Sequence, residues 1–88
     1  ARYTAISQLT ALKAEIGDLN KVKRIVKVFG MVNSTSTFTQ QPAVINGFSD
    51  LMIAVFEDRG RHARAAVGMV ALPMNICLEI EMIVEVEP

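Results

Sequence analysis

The clearest strand in the sequence is Ile76-Cys77-Leu78-Glu79-Ile80-Glu81-Met82-Ile83-Val84-Glu85-Val86. Its even-numbered positions are all apolar, whereas most of its odd-numbered positions carry glutamate. Because successive side chains of a strand point to opposite faces of a sheet, this alternation predicts one face in the core and one face toward solvent. The fold is therefore expected to contain a sheet with a polar side.

Two helices are predicted upstream from apolar residues at helical spacing. The first helix carries a stripe made of Ile6, Leu9, Leu12 and Ile16. It is expected to stop at Gly17, a residue that favours helix ends. The second begins near Pro42, which suits the first turn of a helix, and ends at residues 58–60. Its broad apolar stripe indicates a helix that packs on a sheet.

Two further strands are predicted before the last one. Residues 22–32 carry apolar side chains on both faces, with Val22, Val26, Val28 and Val32 on one side and Ile25, Phe29 and Met31 on the other. This pattern indicates an interior strand. Gly30 within it predicts a bulge or a close backbone approach. A shorter strand follows at residues 63–70 and leads into a turn at residues 72–75.

The order helix, strand, helix, strand, strand predicts an α+β fold with two helices on one face of a sheet of at least three strands. A chain of 88 residues supports one domain at most, so residues 1–88 are expected to form a single domain. The first helix begins without a Met or a capping residue ahead of it. This favours a sequence that lacks upstream residues, and a domain that begins with a helix after processing is the alternative.

Composition excludes several functional classes. Nine Lys and Arg balance nine Asp and Glu, so a formal net charge of zero does not favour nucleic acid or an acidic membrane as a partner. The single cysteine excludes an internal disulfide, and no apolar run approaches the roughly 18 residues of a membrane span. We therefore expect a cytoplasmic protein without a membrane partner. Hydrophobic residues make up 51% of this short chain, which predicts association with further copies.

The polar face of the sheet contains the candidate site. We expect the last two strands to form a hairpin around residues 73–74, so that Arg64, Ala66 and Gly68 share the face of Glu79 and Glu81, opposite the helices. Arg64 offers a planar fork for a carboxylate or phosphate, and Glu79 is able to orient or deprotonate a water. Ala66 would form a shallow floor between them. The alternative is a cross-strand salt bridge on a solvated face.

Other polar residues give weaker indications. His62 lies at a loop–strand junction, where a single histidine is more often a surface residue than a base. Cys77 has no second histidine or nearby aspartate to complete a nucleophilic dyad. One histidine and one cysteine give no recognised metal-ligand spacing. The basic residues of segment 59–64 lack interleaved aromatic residues and only weakly indicate a phosphate or RNA backbone.

Three segments resemble a known family. They are Gly60-Arg61-His62-Ala63-Arg64-Ala65-Ala66-Val67-Gly68, Ala71-Leu72-Pro73-Met74-Asn75 and Leu78-Glu79-Ile80-Glu81. An Ala-Arg-small-small-Val core, a Leu-Pro turn and a final Val/Ile-Glu-Ile-Glu strand form the C-terminal signature of the RidA family, also called YjgF or endoribonuclease L-PSP. Residues 29–33 and 44–51 resemble a subgroup with a longer segment before the second helix, so the resemblance covers essentially the whole chain.

The resemblance implies a chorismate-mutase-like fold and a homotrimer whose three sheets form a central barrel with pockets at the subunit clefts. RidA-branch members hydrolyse reactive enamines and imines, such as 2-aminoacrylate, to 2-keto acids and ammonia without a metal or organic cofactor. The arginine that matches Arg64 holds the substrate carboxylate, and the glutamate that matches Glu79 sits by the attacking water. Ala66 stands where the family often has cysteine. The family usually has strands before its first helix, which this chain lacks.

Three functions are therefore considered. The first is an enamine/imine hydrolase that acts on a small carboxylate-bearing substrate. The second is a trimeric protein of the same family that binds a keto acid without catalysis, since the subgroup resembled has no assigned substrate. The third is RNA cleavage, which the older family name suggests and which a single His62 without a paired base does not favour.

Overall fold

The computed structural model describes the whole chain, Ala1–Pro88. Its elements are α1 (Arg2–Ile16), β1 (Val22–Asn33), α2 (Gln41–Phe56), β2 (Ala63–Met69) and β3 (Leu78–Val86), with short 3₁₀ turns at Leu19–Lys21, Glu57–Gly60 and Pro73–Asn75. The predicted order of helices and strands is confirmed. Two helices pack on a three-stranded mixed sheet, which is the α+β, chorismate-mutase-like fold expected from the sequence. Neither helix is long and apolar enough to cross a lipid bilayer.

The central strand of the sheet is β1. It pairs with β2 in parallel on one side and with β3 in antiparallel fashion on the other, which gives the order β2-β1-β3. The prediction of β1 as an interior strand is thus confirmed, and the predicted hairpin between the last two strands is wrong. Parallel strands need a long crossover, which α2 provides between β1 and β2. The chain then leaves β2 through the turn at Pro73–Asn75 and pairs β3 with the opposite edge of β1.

Irregular pairing decides which side chains of β1 enter the core. The pairing with β3 shifts register between Val22 and Arg24 and again between Ile25 and Lys27. Each irregularity changes the alternation of faces, because an extra residue on one strand turns the following side chains over. Ile25 is therefore buried in the core, while Val26 is only half-buried. The sequence pattern predicts that Val26 shares the face of Val22 and Val28. In the structure Ile25, and not Val26, lies in the core with them.

Close contact between α2 and β1 depends on Gly30. A β-carbon on Gly30 would stand 2.6 Å from Cδ1 of Ile45, a side chain that is fully buried. The register shifts lie elsewhere in β1, so the prediction of a close backbone approach at Gly30 is confirmed and a bulge there is not present. The glycine allows the middle of α2 to rest on the central strand, where Phe48 and Met52 complete the core.

The first helix lies beside the second and closes the same core. Ala5 and Leu9 are buried, and the side-chain amide of Gln8 donates a hydrogen bond to the backbone carbonyl of Ile80 in β3. The helix ends at Gly17 as predicted. Gly17 has a φ of 86°, a conformation that glycine adopts without strain, and its N–H donates to the carbonyl of Lys13.

Candidate functional site

Arg64 lies on the side of the sheet that the helices cover. Its register partner on β1 is Val28, whose side chain is fully buried beneath the helices. Because paired residues of neighbouring strands share a face, Arg64 points toward α2 rather than away from it. The predicted placement on the face opposite the helices is therefore wrong, and the cause is the incorrect hairpin register.

Two residues of α2 hold the Arg64 guanidinium. Its Nη1 donates to Oδ1 of Asn46 at 2.8 Å and to Oγ of Ser49 at 3.2 Å. Both bonds use the same nitrogen, so Nε and Nη2 form no hydrogen bond with the rest of the chain. These two nitrogens are the side of a guanidinium that binds a carboxylate in bidentate fashion. The helix thus fixes Arg64 while leaving one edge of the guanidinium available to a ligand.

A hydrogen-bonded chain extends from Arg64 to His62. Oγ of Ser49 lies 2.9 Å from Nε2 of His62, and Nδ1 of His62 lies 2.7 Å from the carbonyl oxygen of Gly60. A carbonyl oxygen can only accept, so Nδ1 carries a proton. In the neutral imidazole, Nε2 then accepts the hydroxyl proton of Ser49. Ser49 is buried and His62 is half-buried, whereas Arg64 at the other end of the chain is exposed.

Gly60 positions the carbonyl at the end of this chain. It is buried against the C-terminal part of α2, and a β-carbon on it would overlap the backbone carbonyl of Met52. Only glycine fits between the helix and the 3₁₀ turn at this point. Close backbone packing at Gly60 therefore places its carbonyl oxygen within hydrogen-bonding distance of Nδ1 of His62.

These residues line an open cleft of about 340 Å³ between α2 and β2. The lining residues are Asn46, Ser49, Asp50, Ile53, Arg61, His62 and Arg64. Two are guanidinium groups and one is a carboxylate, although Arg61 also forms an exposed ion pair with Asp58 at 3.1 Å. The cleft is suited to a small anion, with donors from a guanidinium, a hydroxyl and an amide.

Ala66 lies on the same face of β2 as Arg64. It pairs with Gly30 and packs against the hydrophobic core as a half-buried residue. The predicted placement of Ala66 opposite the helices is wrong for the same reason as for Arg64. Its position two residues beyond Arg64 keeps it next to the arginine along the strand, so a shared floor for a ligand stays a prediction.

Glu79 occupies the other face of the sheet. It pairs with Met31 on β1 and is exposed, whereas the next residue, Ile80, is buried on the helix side. Arg64 and Glu79 therefore lie on different outer strands and opposite faces. The structure does not bring them together within one copy of the chain, and no cross-strand salt bridge joins them.

The face that carries Glu79 is uncovered and partly apolar. A second cavity of about 240 Å³ is lined by Lys27, Phe29, Glu81, Met82 and Ile83. Ile83 exposes 60% of its surface. Some of the hydrophobic residues of this chain are thus exposed on this face of the sheet, opposite the helices.

Sequence reasoning missed Asn46 and Ser49. Both lie inside a helix predicted from its apolar stripe, and a polar residue at such a position ordinarily faces solvent. Their role depends on the parallel pairing of β2, which places Arg64 under α2. His62, which precedes β2, gave no signal that would have identified these two residues of α2.

Two weaker candidates do not form a site. Cys77 is a free, exposed cysteine before β3 and is not hydrogen-bonded to a histidine. No group of three or more histidine, cysteine, aspartate or glutamate side chains is arranged to hold a metal ion.

Almost the whole sequence of this chain matches the profile of one known family. The sequence profile of the family described as "YjgF/chorismate mutase-like, putative endoribonuclease" matches residues 1–86. The chain belongs to this family. The resemblance to the RidA/YjgF family seen in the signature segments is thus confirmed.

One protein sequence and two solved structures are similar to nearly the whole of this chain. Protein TCP17 of Trypanosoma cruzi is 46% identical over 86 residues, which cover 97% of this chain and 54% of that protein. The crystal structure of Atu1372 from Agrobacterium tumefaciens, described as having unknown function, is 45% identical with a TM-score of 0.95 over 99% of this chain. A putative endoribonuclease from Shewanella oneidensis MR-1 is 26% identical with a TM-score of 0.91 over 97% of this chain. The chain spans about half the length of these proteins, 56% of each of the two solved chains.

Proposed function

We propose that the protein is a hydrolytic deaminase that converts reactive enamines and imines of the 2-aminoacrylate type to 2-keto acids and ammonia. The observation that carries the proposal is the guanidinium of Arg64. Its Nη1 is fixed to α2 and its other edge is available in a cleft of about 340 Å³. A planar fork held in this way is complementary to the carboxylate that such substrates carry.

Substrate position follows from that contact. With the carboxylate on Nε and Nη2 of Arg64, the imine carbon lies one bond away from the carboxylate. The small side chain of Ala66, next on the same face of β2, is proposed to form part of the floor there. On this assignment, a 2-imino acid with a small side chain is expected to be the preferred substrate.

Glu79 is proposed to hold and deprotonate the attacking water in a site completed by a second copy of the chain. It cannot reach the Arg64 cleft of its own copy, because it lies on the opposite face of the sheet. The partly apolar face around Ile83 and Phe29 supports packing of sheets between copies. We therefore propose a homotrimer, with a site in which Arg64 and Glu79 come from neighbouring copies. A cytoplasmic location, where amino-acid metabolism generates such intermediates, is part of the same proposal.

The test uses the full-length protein with 2-aminoacrylate generated in situ by a dehydratase. We expect the wild type to accelerate ammonia release, and Arg64→Ala and Glu79→Ala each to abolish that acceleration. Arg24→Ala is the matched control, since Arg24 is an exposed arginine whose ion pair with Glu85 lies away from the cleft. Ammonia release that the wild type leaves unaccelerated would contradict the proposal.

A non-catalytic protein that binds a keto acid is the second candidate. The separation of Arg64 and Glu79 within one chain favours it, because Arg64 alone is sufficient for binding a carboxylate. In this case pyruvate binds in a calorimetric titration, binding is lost in Arg64→Ala, and no imine is consumed. A titration without heat for any 2-keto acid would count against both candidates.

RNA cleavage, the third candidate, is suggested by the family description and by the Shewanella oneidensis relative described as a putative endoribonuclease. The cleft contains a single histidine, and its hydrogen bonds go to Ser49 and Gly60 rather than to the Asp50 carboxylate, which does not suit cleavage by paired acid and base groups. Ribonuclease activity that is lost in the Arg64→Ala/His62→Gln double variant would support this function. Activity that persists in that variant would identify a contaminant.

A further inference from the structure

The only histidine of the chain lies beside the proposed carboxylate site. His62 is linked to Arg64 through a single intervening group, the hydroxyl of Ser49. In the proposed function the side chain of Ser49 only supports Arg64, and that of His62 has no role. Both line the cleft in which the substrate nitrogen would lie.

The hydrogen bonds of His62 are compatible with both of its protonation states. Nδ1 donates to the Gly60 carbonyl in either state. Nε2 accepts from Ser49 when the ring is neutral and donates to Ser49 when the ring is cationic, at the same 2.9 Å separation. What changes is the direction of the Ser49 hydroxyl proton. In the neutral state it points to His62, and in the cationic state it is free to point into the cleft.

We propose that His62 and Ser49 form a relay that delivers a proton to the nitrogen that leaves the substrate. This role rests on the proposed deaminase function. It adds a proton donor on the Arg64 side of the site, whereas Glu79 is assigned to the water.

The relay step balances as follows. Water adds to the iminium carbon and loses one proton to Glu79, which gives a neutral carbinolamine. The Ser49 hydroxyl then transfers its proton to the amine nitrogen while Nε2–H of cationic His62 transfers its proton to Oγ of Ser49. The carbon–nitrogen bond breaks with its electron pair on nitrogen, the carbinol oxygen loses its proton to solvent, and the 2-keto acid and ammonia remain. His62 is left neutral and regains a proton from solvent, and Glu79 releases to solvent the proton that it took from the water.

The test compares kcat and KM of the full-length wild type with those of His62→Gln, with 2-aminoacrylate supplied in situ. Glutamine retains a polar side chain and leaves the Ser49–Arg64 hydrogen bond in place. We expect kcat to fall by about 10²-fold or more and KM to change little. Ser49→Ala should show the same loss of kcat together with a raised KM, since it also removes a contact to Arg64. Ser49→Thr keeps the hydroxyl and should retain most of kcat.

A second measurement addresses variants that fail to fold. In ¹⁵N NMR spectra of the wild type, the neutral ring of His62 should carry its proton on Nδ1, because Nδ1 lies against the Gly60 carbonyl oxygen. A neutral His62 that carries its proton on Nε2, or a folded His62→Gln with unchanged kcat, would overturn the relay and leave the proposed function in place. A wild type without deaminase activity would overturn the proposed function and the relay together.

Discussion

Arg64 and Glu79 lie on opposite faces of one sheet, on the two strands that flank β1. A small substrate that binds to Arg64 in the cleft therefore cannot touch Glu79 of the same copy. Any site that uses both groups combines two copies of the chain. Under the proposed function, the assembly of copies would therefore be needed for catalysis, and this leads to a sharp experiment.

Mixing two inactive variants should restore activity. In assemblies formed from equal amounts of Arg64→Ala and Glu79→Ala chains, some neighbouring pairs contribute an intact Arg64 and an intact Glu79. Random assembly predicts about a quarter of the wild-type sites in a cyclic oligomer. The measurement is ammonia release after co-expression or joint refolding, with each variant alone as the control. A mixture as inactive as its components would show that the two residues do not act in one site between copies.

Replacing Gly30 should weaken the core. The β-carbon in Gly30→Ala would stand 2.6 Å from Cδ1 of Ile45, and overpacking of a buried contact costs about 1–3 kcal/mol of unfolding free energy. Urea denaturation of the variant measures this loss. Ile45→Ala removes Cδ1, Cγ1 and Cγ2, the three atoms that a β-carbon at position 30 would meet, so the double variant should be destabilised by less than the sum of the two single changes. Strict additivity would show that the Gly30–Ile45 contact is not the cause.

Asn46 should affect ligand affinity through Arg64. Asn46→Ala removes one of the two acceptors that hold Nη1, and we expect pyruvate to bind about 2- to 10-fold more weakly by calorimetry. Asn46→Asp should weaken binding further, because a carboxylate at that position competes with the ligand for the guanidinium. Asp50→Asn provides the control, since it removes a negative charge from the same cleft without a contact to Arg64. Equal affinities for all three variants would argue against Asn46 as a support for Arg64.

Two surface arginines should contribute differently to stability. Arg59 donates to the carbonyl of Val22 at 2.7 Å, and its guanidinium lies 5.6 Å from the ring centre of Phe56. Arg24 forms only an ion pair with Glu85, in which the side chains are 63% and 48% exposed. We expect Arg59→Ala to cost about 1–2 kcal/mol and Arg24→Ala less than about 1 kcal/mol. Thermal unfolding of both variants at two salt concentrations checks this order, and a larger loss for Arg24→Ala would refute it.

The helices and strands could be predicted because their patterns are local. The alternation from residue 76 to residue 86 defines β3, and the apolar residues on both faces of segment 22–32 define a central strand. Gly17 and Gly30 had clear physical roles that the structure confirms. The reversal of Ile25 and Val26 had no such signal, because an irregularity in pairing depends on how two strands meet.

The position of Arg64 could not be predicted from spacing alone. Strands that are adjacent in sequence often form hairpins, and the Leu-Pro turn before β3 supported that interpretation. The prediction that β1 is interior already conflicted with it, because in a sheet of three strands an interior strand must have both of the others as neighbours. Pairing β2 with β1 instead of β3 places Arg64 on the helix side, where Asn46 and Ser49 are its neighbours.

The interleaving of contacts along α2 has a practical consequence for redesign. Ile45, Phe48 and Met52 anchor the helix in the core, while Asn46 and Ser49, at adjacent positions, aim the guanidinium of Arg64. A shift or rotation of this helix would disturb the core packing and the position of the Arg64 guanidinium at the same time. If the cleft binds an acid as proposed, its preference should be altered at Asp50 and Ile53, which line the cleft without holding Arg64, with the rest of the helix left unchanged.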